Sequence, residues 1–375
     1  MKKQLLLLVM MLLPMVASAD AVEIDGIYYN LITKGNVAEV TTNPNKYTGN
    51  IVIPTSFNYE GEKYTVTSIG NGAFSYSALT SITIPNTVTS IGSAAFSNCT
   101  GLTSVTLPNN LTNIEPGTFS TCHELTSITI PNSVKEIGAN AFYGCTGLTS
   151  VTIGNGVESV GTDAFYECRS LSSVHINSIE AWCKIMFKST SSNPLCVAQH
   201  LYINGEEINN LVIPNTITSL NDYAFYLCSS LTSVTIPNSV KKIGIRAFGG
   251  CTGLISIAIP NSVTWISGGA FLGCKSLTSV TIPNSVTDLG ISVFAGCSNL
   301  TSVTIGNSVT EIGDKMFENC PKLTSVTIGS SVTKIGALAF YGCSSLTAVN
   351  IPNSVKDIDG EAFIFCISTG INNQE

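Results

Sequence analysis

The sequence predicts a β-rich repeat solenoid of about 13 turns, with a parallel sheet along one face and a β cap at its N-terminus. Phenylalanine recurs at intervals of 23 residues, or 22 at the first step, and an alternating polar and apolar stretch precedes nearly every phenylalanine at a constant distance. No unit of this length can bury its own apolar side, whereas stacked units can. The periodic residues are Phe74, Phe96, Phe119, Phe142, Phe165, Phe225, Phe248, Phe271, Phe294, Phe317, Phe340 and Phe363.

The repeat unit is clearest at residues 125–145. Residues 127–130 alternate polar and β-branched apolar side chains, which is typical of a strand with one buried face. Its isoleucines then point inward, whereas Ser127 and Thr129 point outward. Pro131 ends the strand, because proline cannot donate a hydrogen bond to a sheet.

Glycine is the most frequent residue directly after the second isoleucine of the unit, as at Gly138, and Asn221, Ser267 or Asp359 replaces it elsewhere. This preference predicts a left-handed backbone conformation at that position. One turn has Glu115 followed by Pro116 there, which predicts a local irregularity in the third turn.

The interval of 60 residues between Phe165 and Phe225 predicts a divergent turn and an insertion at residues 177–210. We assign Phe187 to the divergent turn, because it follows Phe165 by 22 residues. The remainder equals one repeat plus an insertion of 15 residues. We expect the loop at residues 188–205 to emerge from the middle of the solenoid.

The whole chain divides into four predicted segments. Residues 1–19 have the basic start, apolar stretch and Ala17-Ser18-Ala19 ending of a secretory signal peptide cleaved after Ala19. Residues 20–68 form an N-terminal β cap and first partial repeat, with a hairpin that turns at residues 33–37. Residues 69–366 form the solenoid, and residues 367–375 form a short tail.

Composition limits the partners. The chain has 17 basic and 24 acidic residues, a formal net charge of -7 and only 11% charged residues. Such a surface argues against nucleic acid, which requires a basic patch. The mature chain has no apolar run of membrane-spanning length, so we expect a secreted or cell-surface protein without a transmembrane segment.

The residue types that support catalysis do not converge in the sequence. The histidines, His123, His175 and His200, share no catalytic or metal-binding motif, and no cysteine pair has the spacing of zinc ligands. We therefore predict no catalytic, cofactor or metal site, and no enzymatic activity. A disulfide between Cys183 and Cys196 remains open. Eleven other cysteines follow the periodic phenylalanines by three residues and are predicted to be buried free thiols: Cys99, Cys122, Cys145, Cys168, Cys228, Cys251, Cys274, Cys297, Cys320, Cys343 and Cys366.

A candidate partner-binding face follows from the outward strand positions, which stacking aligns as two rows of small polar side chains. The rows change chemically in the middle of the chain, close to the insertion, and loops on a rigid scaffold often carry recognition. The candidate residues are Ser127, Thr129, Ser150, Thr152, Ser173, His175, Asn210, Val212, Ser233 and Thr235.

The repeated string L-x-x-V-x-I-P-x-x-V-x-x-I-G-x-x-A-F-x-x-C resembles the leucine-rich repeats of the BspA-like, or Treponema-type, family from about Ile51 to Cys366. The resemblance implies a bacterial surface or secreted protein, and an adhesin-like scaffold for a protein partner such as a host extracellular-matrix or surface protein. A glycan-binding protein or carbohydrate-directed enzyme is one alternative, and a purely structural surface component is another. No wall-anchor motif is recognised after Cys366, so the mode of surface retention stays open.

Overall fold

The computed structural model describes residues 21–366 and the backbone of residues 370–373. The predicted signal peptide lies outside the described residues. The N-terminal part contains β1 (Val22–Ile24), β2 (Ile27–Ile32), β3 (Val37–Val40), β4 (Thr48–Val52), β5 (Ser56–Tyr59) and β6 (Glu62–Ile69).

The cap is a sheet in the order β1-β2-β3-β6-β5. Strands β2 and β3 pair antiparallel around the predicted turn, where Gly35 and Asn36 have positive φ angles. Strands β5 and β6 form a second tight hairpin at a segment that reads as a loop in the sequence. Strand β4 pairs instead with the first strand of the solenoid, and the Tyr47 ring lies 4.7 Å from that of Phe74. The cap therefore covers the first layer of the repeat core.

Each regular turn has a front strand, which carries the alternating sequence, and a side strand of two residues. Before the insertion, front and side strands alternate in the following order: β7 (Ala78–Thr83), β8 (Ser90–Ile91), β9 (Ser104–Thr106), β10 (Asn113–Ile114), β11 (Ser127–Thr129), β12 (Glu136–Ile137), β13 (Ser150–Ile153), β14 (Ser159–Val160) and β15 (Ser173–Ile176).

The divergent segment is structured rather than an open loop. It contains α1 (Ile179–Lys184), β16 (Met186–Phe187), a 3-10 helix (Thr190–Ser192), α2 (Leu195–Ala198), β17 (Leu201–Ile203) and β18 (Glu206–Glu207). Strand β17 pairs parallel with β15. The chain then reverses, and β18 pairs antiparallel with β17 as a hairpin.

Regular turns resume after the hairpin. Their strands, again alternating front and side, are β19 (Asn210–Val212), β20 (Ser219–Leu220), β21 (Ser233–Thr235), β22 (Lys242–Ile243), β23 (Ser256–Ala258), β24 (Trp265–Ile266), β25 (Ser279–Ile282), β26 (Asp288–Leu289), β27 (Ser302–Ile305), β28 (Glu311–Ile312), β29 (Ser325–Thr327), β30 (Lys334–Ile335), β31 (Ala348–Ile351), β32 (Asp357–Ile358) and the front strand β33 (Gly370–Asn373). The last strand falls within the predicted tail and pairs parallel with β31. The result is the predicted solenoid of about 13 turns.

The core consists of equivalent side chains stacked from turn to turn. Consecutive phenylalanine rings lie 5.0–5.9 Å apart, from Phe74 to Phe165 and again from Phe225 to Phe363. The cysteine Sγ atoms lie beside them, and most donate a hydrogen bond to the phenylalanine carbonyl of the preceding turn, at 3.0 Å for Cys99 and 3.2 Å for Cys274. Burial raises the pKa of Cys274 to about 12. All thirteen cysteines are free thiols, and Cys183 and Cys196 form no disulfide. The predicted ladder is confirmed for ten of its eleven members, whereas Cys366 in the last turn is partly exposed.

The prediction of left-handed glycines after the second isoleucine is wrong. Gly138 does not have a positive φ, and a Cβ there would lie 2.5 Å from the Pro116 nitrogen of the preceding turn. Glycine is needed because adjacent turns approach closely there. The left-handed residues instead lie two positions before and two after the phenylalanine, as at Asn140 and Gly144 around Phe142.

The side-strand ladder is interrupted in the third turn, because β8 pairs with β6 and β10 pairs with β12. The same interruption occurs between β26 and β28, where the ordinary Gly313 follows the isoleucine. The irregularity expected from Glu115 and Pro116 therefore stays a prediction.

Candidate binding face

Six of the candidate residues lie on one hydrogen-bonded group of front strands, β11, β13 and β15. Ser127, Ser150 and Ser173 are in register in one row. The second row runs Thr129, Thr152 and His175 and continues to Tyr202 on β17. In-register parallel pairing therefore produces the two predicted rows.

The other four candidate residues lie on a separate group of strands. Asn210 is in register with Ser233, and Val212 with Thr235. The front sheet is interrupted between β18 and β19, so the hairpin of β17 and β18 divides the candidate face into two halves. Val212 is 64% exposed and presents an aliphatic side chain on this half of the face.

Charge is segregated between the two sets of strands. The outward residues of the regular front strands from β7 to β31 carry no formal charge: they are serine, threonine, asparagine, alanine, valine and one histidine. The side strands instead carry Glu136, Lys242, Asp288, Glu311, Lys334 and Asp357. The front face is therefore a neutral, hydroxyl-rich surface that a partner can cover without desolvating charges.

His175 and Tyr202 form an aromatic pair at the centre of this face. Their rings lie 5.0 Å apart and nearly parallel. His175 Nε2 also lies 3.1 Å from Ser173 Oγ. Sequence reasoning singled out His175 but missed Tyr202, because Tyr202 lies in the insertion, where no repeat register assigns it to a strand.

The serine and histidine pair lacks the rest of a hydrolytic site. A catalytic triad requires a carboxylate that orients the imidazole and donors that stabilise an oxyanion. Among the described residues, His175 has no hydrogen-bonded carboxylate, whereas His200 pairs with Glu207 on the hairpin. Within residues 21–366, no group of three or more His, Cys, Asp or Glu side chains could hold a metal ion.

The insertion replaces one layer of the phenylalanine stack. Phe187 lies in the divergent turn, but its assignment as the periodic phenylalanine of that turn is wrong. Phe187 pairs with Val160 on the side strands, not with Phe165 in the ladder. The polar groups of the next turn are instead satisfied by side chains: the Trp182 indole N–H donates to Ala224 O at 2.8 Å, and Asn193 Nδ2 donates to Tyr223 O at 2.8 Å. Both side chains are fully buried.

A shallow groove of about 700 Å³ runs over the C-terminal half of the front face. It crosses β23 to β29 and is lined by hydroxyls such as Thr281 and Thr304. Its lining includes Gly306 and Gly329, which replace the proline found after most front strands. The same replacement occurs at Gly154, outside this groove, so it could not have located the groove from the sequence.

The family model described as "BspA type Leucine rich repeat region (6 copies)" matches residues 67–193, 197–321 and 264–374. The chain belongs to this family. Together with the stacked turns, this match identifies the protein as a leucine-rich-repeat solenoid.

One solved structure shows the same architecture, and others are similar over much of the chain. A leucine-rich repeat protein from Bacteroides ovatus is 30% identical, with 92% of this chain and 90% of that chain covered and a TM-score of 0.69. A leucine-rich cell surface protein from Faecalibacterium prausnitzii is 27% identical over 82% of this chain and 94% of its own, with a TM-score of 0.46. The pneumococcal vaccine antigen PcpA is 21% identical over 91% and 94%, with a TM-score of 0.44. A search of curated proteins finds no match.

No helix among the described residues is both long and apolar enough to cross a membrane.

Proposed function

We propose that this BspA-type repeat protein is an exported or cell-surface scaffold that binds a protein partner, in the manner of an adhesin, through its neutral front face. The observation that carries the proposal is the in-register alignment of uncharged outward residues over the front strands, with His175 and Tyr202 at the centre of the row beside the hairpin. Family membership supports an interaction scaffold. A host extracellular-matrix or surface protein is the partner class proposed.

The central part of the face offers the strongest contact chemistry. His175 and Tyr202 supply rigid rings, and Val212 supplies an exposed apolar side chain on the other half. Aromatic side chains dominate the energetics of many protein interfaces. The surrounding serine and threonine hydroxyls can donate and accept hydrogen bonds at the rim. We therefore place the partner across the centre of the face.

The proposal is tested with protein secreted from a bacterial host, captured on immobilised fibronectin, laminin and collagen. Cleavage after Ala19 predicts Asp20 as its first residue, and recovery of an uncleaved chain from the cytosol would contradict export. A central variant, with Ser173, His175, Asn210 and Val212 changed to Lys, should bind at least tenfold more weakly, about 1.4 kcal/mol. Buried lysine ammonium groups without partners would oppose docking.

Two control variants show whether any loss of binding is specific to the centre of the front face. Changing Ser104, Thr106, Ser325 and Thr327 to Lys adds the same charge to the ends of the same face and should leave binding nearly unchanged. Changing Lys241, Lys242 and Lys334 to Ser alters the side strands and should also do little. If the side-strand variant alone loses the partner while the central variant binds normally, the front face is only scaffolding.

A further inference from the structure

A second groove, of about 360 Å³, opens on the surface where the phenylalanine ladder is interrupted. It lies away from the outward residues of the front strands. Tyr166 lines one side and Tyr226 lines the other. Thr190 of the 3-10 helix, and Cys196 and Val197 of α2, complete the lining.

The groove exists because the divergent turn has no phenylalanine loop. In regular turns this part of the chain stacks directly on its neighbour, with phenylalanine rings 5.0–5.9 Å apart. Between Phe165 and Phe225 the 3-10 helix and the single turn of α2 occupy the space instead. These short elements fill the core but leave the outer surface recessed.

Tyrosines are concentrated at this recess. The residue after the periodic phenylalanine is tyrosine at four positions, 143, 166, 226 and 341, and three of them flank the interruption. Tyr143 packs against Tyr166 in a tilted arrangement with centroids 6.0 Å apart, and Tyr223 packs edge-on against Tyr226 at 6.3 Å. Each of the two tyrosines that line the groove is therefore backed by a second tyrosine, and Tyr166 is 46% exposed. The other turns carry Ser75, Ser97, Ser120, Gly249, Leu272, Ala295, Glu318 and Ile364 at this position.

The electrostatics of the groove favour a neutral ligand. Its charged residues, Arg169 and Glu167, form an ion pair with each other at the rim. The guanidinium is therefore already matched by a carboxylate and offers little free charge to a phosphate or an acidic group. Thr190 and the tyrosine side chains supply neutral hydroxyl donors and acceptors.

We propose that this groove is a carbohydrate-binding site that takes a neutral pyranose unit of an oligosaccharide against Tyr166 and Tyr226. A pyranose ring has apolar C–H faces, which pack on aromatic rings, and hydroxyls around its edge, which match the polar rim. The volume is at the low end of the roughly 300–1,000 Å³ typical of small-molecule sites, so it fits one or two sugar units rather than an extended chain. The site is separate from the protein-binding face and does not depend on it.

Binding is tested by calorimetric titration of the secreted protein with neutral hexasaccharides: maltohexaose, cellohexaose, mannohexaose, xylohexaose and chitohexaose in its N-acetylated form. We expect saturable one-to-one binding to at least one. Tyr166→Ala and Tyr226→Ala should each weaken that binding at least tenfold, whereas Tyr166→Phe should retain most of it because the ring remains. Tyr341→Ala is the matched control, since it has the same repeat position far from the groove, and should bind like the unchanged protein.

A chemical footprint tests the location without a substitution. Cys196 lines the groove and Cys366 lies in the last turn, and both thiols are partly exposed while the other eleven are buried. The bound hexasaccharide should slow maleimide labelling of Cys196 and leave that of Cys366 unchanged. Absence of binding by every sugar, equal loss in the Tyr341 control, or binding without protection of Cys196 would each overturn the proposal. So would occupation of the groove by a peptide instead. None of these outcomes bears on the front face, whose test uses different variants.

Discussion

Glycine after the side-strand isoleucine shows how the fold constrains single residues. At Gly138 the Cα faces the backbone of the preceding turn, so even a methyl group would meet main-chain atoms rather than a flexible side chain, whereas at Gly313 the nearest atom would lie 3.5 Å away. Gly161 repeats the geometry of Gly138, since a methyl group on its Cα would lie 2.5 Å from the Ala139 nitrogen. In these two turns backbone atoms cannot move aside without separating the turns, so the close approach favours glycine, although Asn221, Ser267 and Asp359 occupy the position elsewhere.

Gly138→Ala should therefore lower the free energy of unfolding by about 1–3 kcal/mol, the usual cost of overpacking a close-packed site. The measurement is the urea midpoint followed by circular dichroism. Gly360→Ala is the control, because a Cβ at that position would have no atom within 4 Å and the φ of Gly360 is not positive. That change should be neutral or slightly stabilising. Equal destabilisation by both substitutions would contradict the close-approach explanation.

The outward positions could be predicted from the sequence, whereas the left-handed positions could not. Ser127 and Thr129 are exposed on β11 as the alternation indicates, since a strand has only two faces. The left-handed sites flanking the phenylalanines include glycines such as Gly144 and Gly250, which are a usable signal, but also residues as different as Ala94, Arg246 and Leu338. Stacking against neighbouring turns imposes that conformation on the latter despite its intrinsic cost, so residue type gives only part of the pattern.

At the scale of elements, the divergent segment at residues 177–210 joins the two halves of the solenoid. This junction, called the splice below, depends on buried polar side chains. Asn193 Oδ1 accepts from Leu195 N at 2.9 Å while its amide donates to the carbonyls of Tyr223 and Ala224. Asn221 in turn donates to the carbonyls of Lys184 and Ile185. These contacts replace the backbone hydrogen bonds that regular turns make with each other.

Periodicity could not reveal this splice. The interval from Phe165 to Phe187 matches the repeat, yet Phe187 lies on a side strand because α1 lengthens the connection after β15. Counting residues gives the position of a side chain within its turn only while every turn contains the same elements. The position of the insertion was predictable from the interval of 60 residues, but its helices and hairpin were not.

Asn193→Ala should destabilise the protein by about 2–4 kcal/mol, because it leaves buried carbonyls and a buried N–H without partners. Thermal unfolding followed by circular dichroism gives the measurement. Asn132→Ala provides the matched control: Asn132 Oδ1 also bonds to a backbone N–H of a neighbouring turn, at 2.8 Å, but on an exposed surface where water can replace it. If both variants unfold at the same temperature, the buried amide does not hold the splice together.

For the whole molecule, the register of the strands implies an elongated body built from nearest-neighbour contacts. About 13 turns at ~4.8 Å per strand give a stack roughly 60 Å long before the cap is added. Each regular turn donates its backbone hydrogen bonds to adjacent turns, as Phe271 does to Val293 and Phe294 to Met316. Stability in such a chain is close to a sum of repeat and interface contributions.

Deletion of one complete turn tests this modularity. Removing residues 277–299 takes out 23 residues and joins Ser276 to Leu300, which restores the sequence order of an ordinary repeat. Small-angle scattering should then show a folded particle shorter by about 5 Å, since one strand layer is lost. The out-of-phase control removes residues 277–288, which shortens the interval from Phe271 to Phe294 from 23 to 11 residues and eliminates a front strand. That variant cannot keep both phenylalanines in the ladder, so it should unfold at lower temperature and expose its thiols to reagent. A compact, near-spherical particle before deletion, or equal tolerance of the two deletions, would contradict a solenoid held together turn by turn.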